Sequence, residues 1–172
     1  LTGGRWVLED NGICNRPGQI ANLPAGKVFV FPKEGSMNGT IVIDGSWEGI
    51  LLEEPLSLNI EKGMVVNISG GQIANQIEES FEMAKAGIRS SKKDLIWTVA
   101  EFGFGMNPKA NELVGNRVED LVLRGGAYFG FGDNTHLGGS ARVGIHQRGT
   151  IRTPEVLLEE TTIISEGKVS AR

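Results

Sequence analysis

Glycine interrupts this chain too often for long regular elements. It accounts for 25 of 172 residues, about twice the usual share of roughly 7%. Each glycine weakens the interior of a helix or strand and opens the left-handed backbone region that tight turns use. Between the glycines lie short stretches rich in β-branched and aromatic residues, at 5–8, 27–31, 40–44, 56–60, 64–68, 95–102, 127–131, 142–146 and 161–165. Segments of that length, bounded by Gly, Pro or Asn, read as strands. Glu61-Lys62-Gly63 and Ser165-Glu166-Gly167 put glycine where a hairpin needs positive φ, so hairpins are expected over 56–68 and 161–170.

Only one stretch has a clear helical period. Ile73, Ile77, Phe81 and Ala84 recur every three or four residues, Ser69 or Gly70 can cap the start, and Gly87 can end it. This predicts a helix over 72–86. Val118, Leu121 and Val122, with Glu119 and Asp120, suggest a shorter one over 116–123. No repeat or linker divides the chain, so residues 1–172 are expected to form a single α+β domain. Its strands should make a mainly antiparallel sheet or a partly closed barrel.

Composition narrows the function classes. A chain with 40% hydrophobic and 22% charged residues is not of the disordered type. Its formal net charge is −4, with a sequence pI of about 5.3 and no basic cluster, which argues against a nucleic-acid partner. No apolar run approaches the roughly 20 residues of a membrane span, and no secretion signal is visible, so the expectation is a cytoplasmic protein without a membrane partner. Cys14 stands alone, which excludes an internal disulfide and a cysteine-built metal site. Because the chain begins at Leu1, it is expected to be a fragment or a processed product.

Four stretches carry chemistry. Lys27 and Glu34 flank an apolar strand and are candidates to face a substrate, although Asn22–Gly26 also reads as an ordinary turn. Glu101 follows the apolar run Leu95–Ala100, where a carboxylate is costly to bury unless it is paired or metal-bound. Asp133 and His136 lie in a polar cluster, Gly132-Asp133-Asn134-Thr135-His136, compatible with a metal or with a plain loop. His146 and Arg148 share a strand face through the period of two, but a guanidinium does not ligate a metal. The Gly-x-Gly strings near Phe102 and Phe131 resemble phosphate loops only superficially, since no helix follows directly. Nucleophilic catalysis has no support, because no Ser or Cys lies in a recognisable nucleophile turn.

Taken in order, NLPAGKVFVFPKEGSMNGTIVID, AEFGFGMNP, GGAYFGFGDNTHLGG and VGIHQRG resemble the C-terminal catalytic domain of the thermophilic-type metalloaminopeptidases, the aminopeptidase T and aminopeptidase S class. The resemblance implies a strand-rich domain whose N-terminal companion is absent from this chain, a homodimer, and a two-metal centre that removes N-terminal residues from peptides. Of the ligand positions it implies, Glu101 and His146 are retained. Lys27 stands for a glutamate, Arg148 for an aspartate and Tyr128 for a histidine, while an acidic position falls near Leu121. Non-haem iron dioxygenases that open dihydroxypyridine rings form a related branch with two histidines and one carboxylate. Tyr128 and Arg148 break that set too, so both metal-dependent readings are set aside together.

The resulting expectation is a degenerate aminopeptidase-related domain with no cofactor. Its pocket residues are Lys27, Glu101, Tyr128, His146 and Arg148, and the two cations are expected to form ion pairs with Glu101 or nearby carboxylates. The alternatives are an active aminopeptidase binding zinc, cobalt or manganese through Glu101 and His146, with His136, Asp133 and Glu34 as substitute ligands, or a metal-free domain that binds a small molecule or dimerises. For dimerisation, Trp47, Leu51 and Leu52 are candidate exposed apolar residues.

Overall fold

Period-two alternation organises the strands. In the computed structural model, which describes residues 3–170 apart from the side chains of residues 90 and 137, β1 (Leu8–Asp10) and β2 (Lys27–Val30) open the chain. They are followed by β3 (Gly39–Ile43), β4 (Ser46–Trp47) and β5 (Ile50–Leu51). Next come the hairpin β6 (Leu56–Glu61) and β7 (Met64–Ser69) and the helix α1 (Gly71–Lys85). The second half holds β8 (Val99–Gly105), β9 (Ala127–Gly132) and β10 (His146–Ile151). It ends with β11 (Val156–Leu158), β12 (Thr161–Ser165) and β13 (Lys168–Val169).

All the named strands pair antiparallel. One sheet has the order β1-β2-β8-β9-β10-β4-β5, and two three-stranded sheets have the orders β3-β6-β7 and β11-β12-β13. The α+β class expected from the sequence is what the chain adopts. Both expected hairpins form, and in each turn the two central residues, Lys62-Gly63 and Glu166-Gly167, have positive φ. That is the backbone twist a two-residue hairpin requires.

The core lies between one face of the large sheet and the layer made by β3-β6-β7 and α1. Leu56, Leu58 and Ile60 alternate inward along β6, and Ala74, Ile77 and Phe81 form the buried stripe of α1. They meet Ile43, Val99 and Phe131. Trp47 stacks on Phe131 at 5.4 Å between centroids, and Phe81 stacks on Trp97 at 4.3 Å. Burying each such large apolar side chain contributes about 1.5–3 kcal/mol.

Five expectations need correction. The strand expected at 5–8 forms instead at Leu8–Asp10, where it pairs with β2. Residues 90–97 form a 3-10 helix, ended where the Thr98 amide and hydroxyl both donate to the Leu95 carbonyl, so the strand expected at 95–102 begins only at Val99. The strand expected at 142–146 starts at His146, because the Val143 and Gly144 amides donate to the Asp133 carboxylate instead of to a neighbouring strand. The short helix expected over 116–123 shrinks to a 3-10 turn, Asp120–Val122; the Asn116 side chain accepts from the Val118 and Glu119 amides and competes with helical bonding. Trp47 and Leu52 are buried, leaving only Leu51 of that trio exposed.

Candidate functional site

The two faces of the large sheet differ in chemistry. Along β8 and β9 the phenylalanines Phe102, Phe104, Phe129 and Phe131 alternate with Glu101, Gly103, Gly105, Tyr128, Gly130 and Gly132, so the second face carries the polar and glycine positions. Register then assembles the cluster. Lys27 lies opposite Gly105, Gly103 opposite Tyr128, and Gly130 opposite both Glu101 and Arg148. A bulge between Val99 and Glu101 sets that alignment.

Glycine is what makes room. A Cβ on Gly130 would sit 2.6 Å from His146 Nε2 and 2.9 Å from Glu101 Cβ, and one on Gly103 would sit 2.6 Å from the Tyr128 hydroxyl. The Gly-x-Gly strings are therefore the floor of a side-chain cluster, a role the sequence shows only once their strand alternation is recognised.

Glu101 is 1% exposed and its carboxylate is fully engaged. Tyr128 donates its hydroxyl to Oε1 at 2.9 Å. Arg148 donates Nε to Oε2 at 2.9 Å, and His146 Nε2 lies 3.1 Å from the same oxygen. Burial pushes the Glu101 carboxyl upward, but the His146 hydrogen bond, the Arg148 and His146 charges and the Tyr128 hydrogen bond outweigh it and hold the carboxyl at about 2. Burial, reinforced by the Glu101 charge, pushes the Tyr128 phenol up, so it stays a neutral donor. His146 Nδ1 faces the Asp133 carbonyl at 2.7 Å. With acceptors on both sides, both of its bonds form only when the ring carries both protons.

Lys27 is half-buried, its Nζ 5.3 Å from the Phe29 ring centroid. Burial lowers its pKa and Arg148 adds to that, against the opposing pull of Glu101 and Asp10. Among the described residues it has no ion pair within 4 Å. Lys27, His146 and Arg148 open into a cleft of about 510 Å³ whose rim also carries Asp10, Glu48 and Arg117. That volume lies within the roughly 300–1,000 Å³ of small-ligand sites.

The five residues expected to form the pocket thus share one face, and Arg148 pairs with Glu101 as expected. Lys27 does not reach ion-pair distance. None of the three proposed substitute ligands joins the cluster: Asp133 and Glu34 are held by other hydrogen bonds, and His136 is exposed. The Asp133 carboxylate accepts from Thr135, Val143 and Gly144, which together hold its pKa well below the usual carboxylate range against the upward push of burial. His136 is exposed, 3.8 Å from Asp133. Glu34 accepts from Arg5, Asn134 and Ser140, tying the segment after β2 to the loop after β9.

The model of the 2,5-dihydroxypyridine 5,6-dioxygenase family, NicX, matches residues 2–171. The chain belongs to that family. It is 25% identical over 179 residues to 2,5-dihydroxypyridine 5,6-dioxygenase of Pseudomonas putida KT2440, covering 96% of this chain and 49% of that relative. A solved structure of 2,5-dihydroxypyridine dioxygenase from P. putida KT2440 shares the fold. Its TM-score is 0.75 at 23% identity, over 87% of this chain and 44% of that one. The chain spans about half the length of these NicX relatives.

NicX membership overturns the metalloaminopeptidase assignment, and with it the degenerate-peptidase, substitute-ligand and alternative readings. The motifs behind that assignment contribute largely to the sheet, its glycine floor and its loops, and such residues report a scaffold more than a reaction. The NicX relative is a dioxygenase, so the metal to test against these residues is iron rather than zinc, cobalt or manganese.

The donor set does not fit such a metal. Glu101 Oε2 and His146 Nε2 are 3.1 Å apart, and the backbone carbonyl on Nδ1 is the usual support of a ligating histidine. Beside them, however, stand a neutral phenol and a guanidinium bonded to the very oxygen a metal would use. Among the described residues, no group of three or more His, Cys, Asp or Glu could hold a metal ion.

Proposed function

We propose that this chain forms the substrate-binding face of a NicX-type protein and receives a hydroxylated pyridine-type ring as its oxyanion. The observation that carries this reading is the pair of cations in the cleft. Lys27 has no ion-pair partner within 4 Å among the described residues, and Arg148 uses Nε on Glu101 while its outer nitrogens make no hydrogen bond there. A guanidinium fixed from below by a carboxylate presents a planar pair of donors to an oxyanion above it. Lys27 adds a second charge in a half-buried place where ionic hydrogen bonds are stronger than in water. His146, held by the Asp133 carbonyl and Glu101, contributes an oriented ring edge at the same wall. The name of the NicX relative supplies the ring class, and these residues bind and orient it; no ring-opening step is assigned to them.

The test is calorimetric titration of the full-length protein with 2,5-dihydroxypyridine and with unsubstituted pyridine. The hydroxylated ring is expected to bind and the parent ring not to. Lys27→Ala should weaken binding about 10- to 100-fold, as expected for a hydrogen bond to a charged group of about 1.5–3 kcal/mol. Equal affinity for both rings, or an unchanged Lys27→Ala variant, overturns the reading.

A further inference from the structure

We infer that Arg148 is a built-in cation standing where a divalent metal would bind, and that this one residue keeps the site closed to metal. The inference rests on the cleft being the functional site, but it concerns metal rather than ring binding, so the two readings fail separately.

Two donors are already placed. Glu101 Oε2 and His146 Nε2 lie 3.1 Å apart, a separation two ligands of one ion can adopt, and Gly130 leaves the space beside them clear of any Cβ. His146 Nδ1 is fixed on the Asp133 carbonyl, so the ring is oriented independently of Glu101. Arg148 lies two residues along β10 from His146 and therefore on the same face, with Nε 2.9 Å from Glu101 Oε2. Its charge saturates the oxygen a metal would need and repels any dication approaching it. The backbone of Arg148 is held separately, its amide donating to Glu48 at 2.7 Å, so a different side chain at this position starts from the same strand register. An aspartate or histidine there would place a third donor on the face that carries the other two. The remaining charged groups around the cleft are Lys27 and Arg117, which oppose a cation, and Asp10 and Glu48, which favour one.

The experiment compares full-length wild type with Arg148→Asp and Arg148→His, each incubated with Fe(II), Mn(II) or Zn(II), dialysed and assayed for metal by mass spectrometry. Wild type is expected to retain less than about 0.1 metal per chain. The variants are expected to retain about one, with affinity at least 100-fold tighter. Melting temperature provides a second readout. If a variant is unstable alone, added metal should raise its melting temperature while leaving wild type unmoved. Stoichiometric metal on wild type overturns the inference, as do variants that neither retain metal nor are stabilised by it.

Discussion

Glu101 is the residue on which the cluster depends. At 1% exposure its charge is stable only because Tyr128, His146 and Arg148 all address it. Glu101→Gln keeps the shape and removes the charge. It is expected to lower unfolding free energy by about 3 kcal/mol, the low end for breaking a buried ion pair, since Arg148 is about one-third exposed. Urea denaturation measures this, and a loss below about 1 kcal/mol would mean that the four side chains are not coupled. At this scale the sequence was informative. A carboxylate ending an apolar run announces an unusual environment, and Lys27 and Arg148 announce charge. What a linear reading misses is the floor, because Gly103 and Gly130 matter for the side chains they leave room for, and those come from other strands.

Among the elements, the loop from Asp133 to Gly144 decides how β10 is presented. The Asp133 carboxylate gathers the Thr135, Val143 and Gly144 amides, while its carbonyl anchors His146. Asp133→Asn replaces an ionic acceptor by a weaker one and should cost about 1–3 kcal/mol. Faster hydrogen exchange at the Val143 and Gly144 amides is the expected signature, and unchanged protection there would contradict this role. The element boundaries show why the local pattern was only partly sufficient. α1 lies within one residue of its expected position because its apolar stripe and its flanking glycines are all local. The 142–146 stretch looks β-like by composition, yet its amides are captured by a carboxylate ten residues earlier in the chain, and a composition window cannot register that competition.

For the whole molecule, three carboxylates whose pKa is lowered on folding, Glu34, Glu101 and Asp133, couple stability to acid. Glu34 joins Arg5 to the loop after β9, and Glu101 anchors the sheet face; burial pushes both upward, but their hydrogen bonds, and for Glu101 the neighbouring charges too, prevail and hold each at about 2, below the ordinary carboxyl value of 4.5. A carboxyl lowered on folding contributes stability that is complete above its unfolded value and is lost as pH falls toward its folded one. Melting temperature should therefore be steady above about pH 4.5 and fall progressively below it as Asp133, Glu34 and Glu101 protonate; a flat profile between 4.5 and 2 would show that none of these networks supports the fold. The sequence by itself determined what is local: short strands closed by glycine turns, a single clear amphipathic helix and hence an α+β chain of mainly antiparallel pairing. It also marked the ionisable residues of those strands, Lys27, Glu101, His146 and Arg148, of which Glu101 and Arg148 lie within their strands rather than at the ends. Family membership was misread from it, because the matching motifs largely serve a scaffold. Only the tertiary structure decided that Glu101, Tyr128, His146 and Arg148 close on one another while Lys27 stays at the cleft. That outcome depends on the register of β2, β8, β9 and β10, including one bulge, and register is set by pairings between residues far apart in the chain.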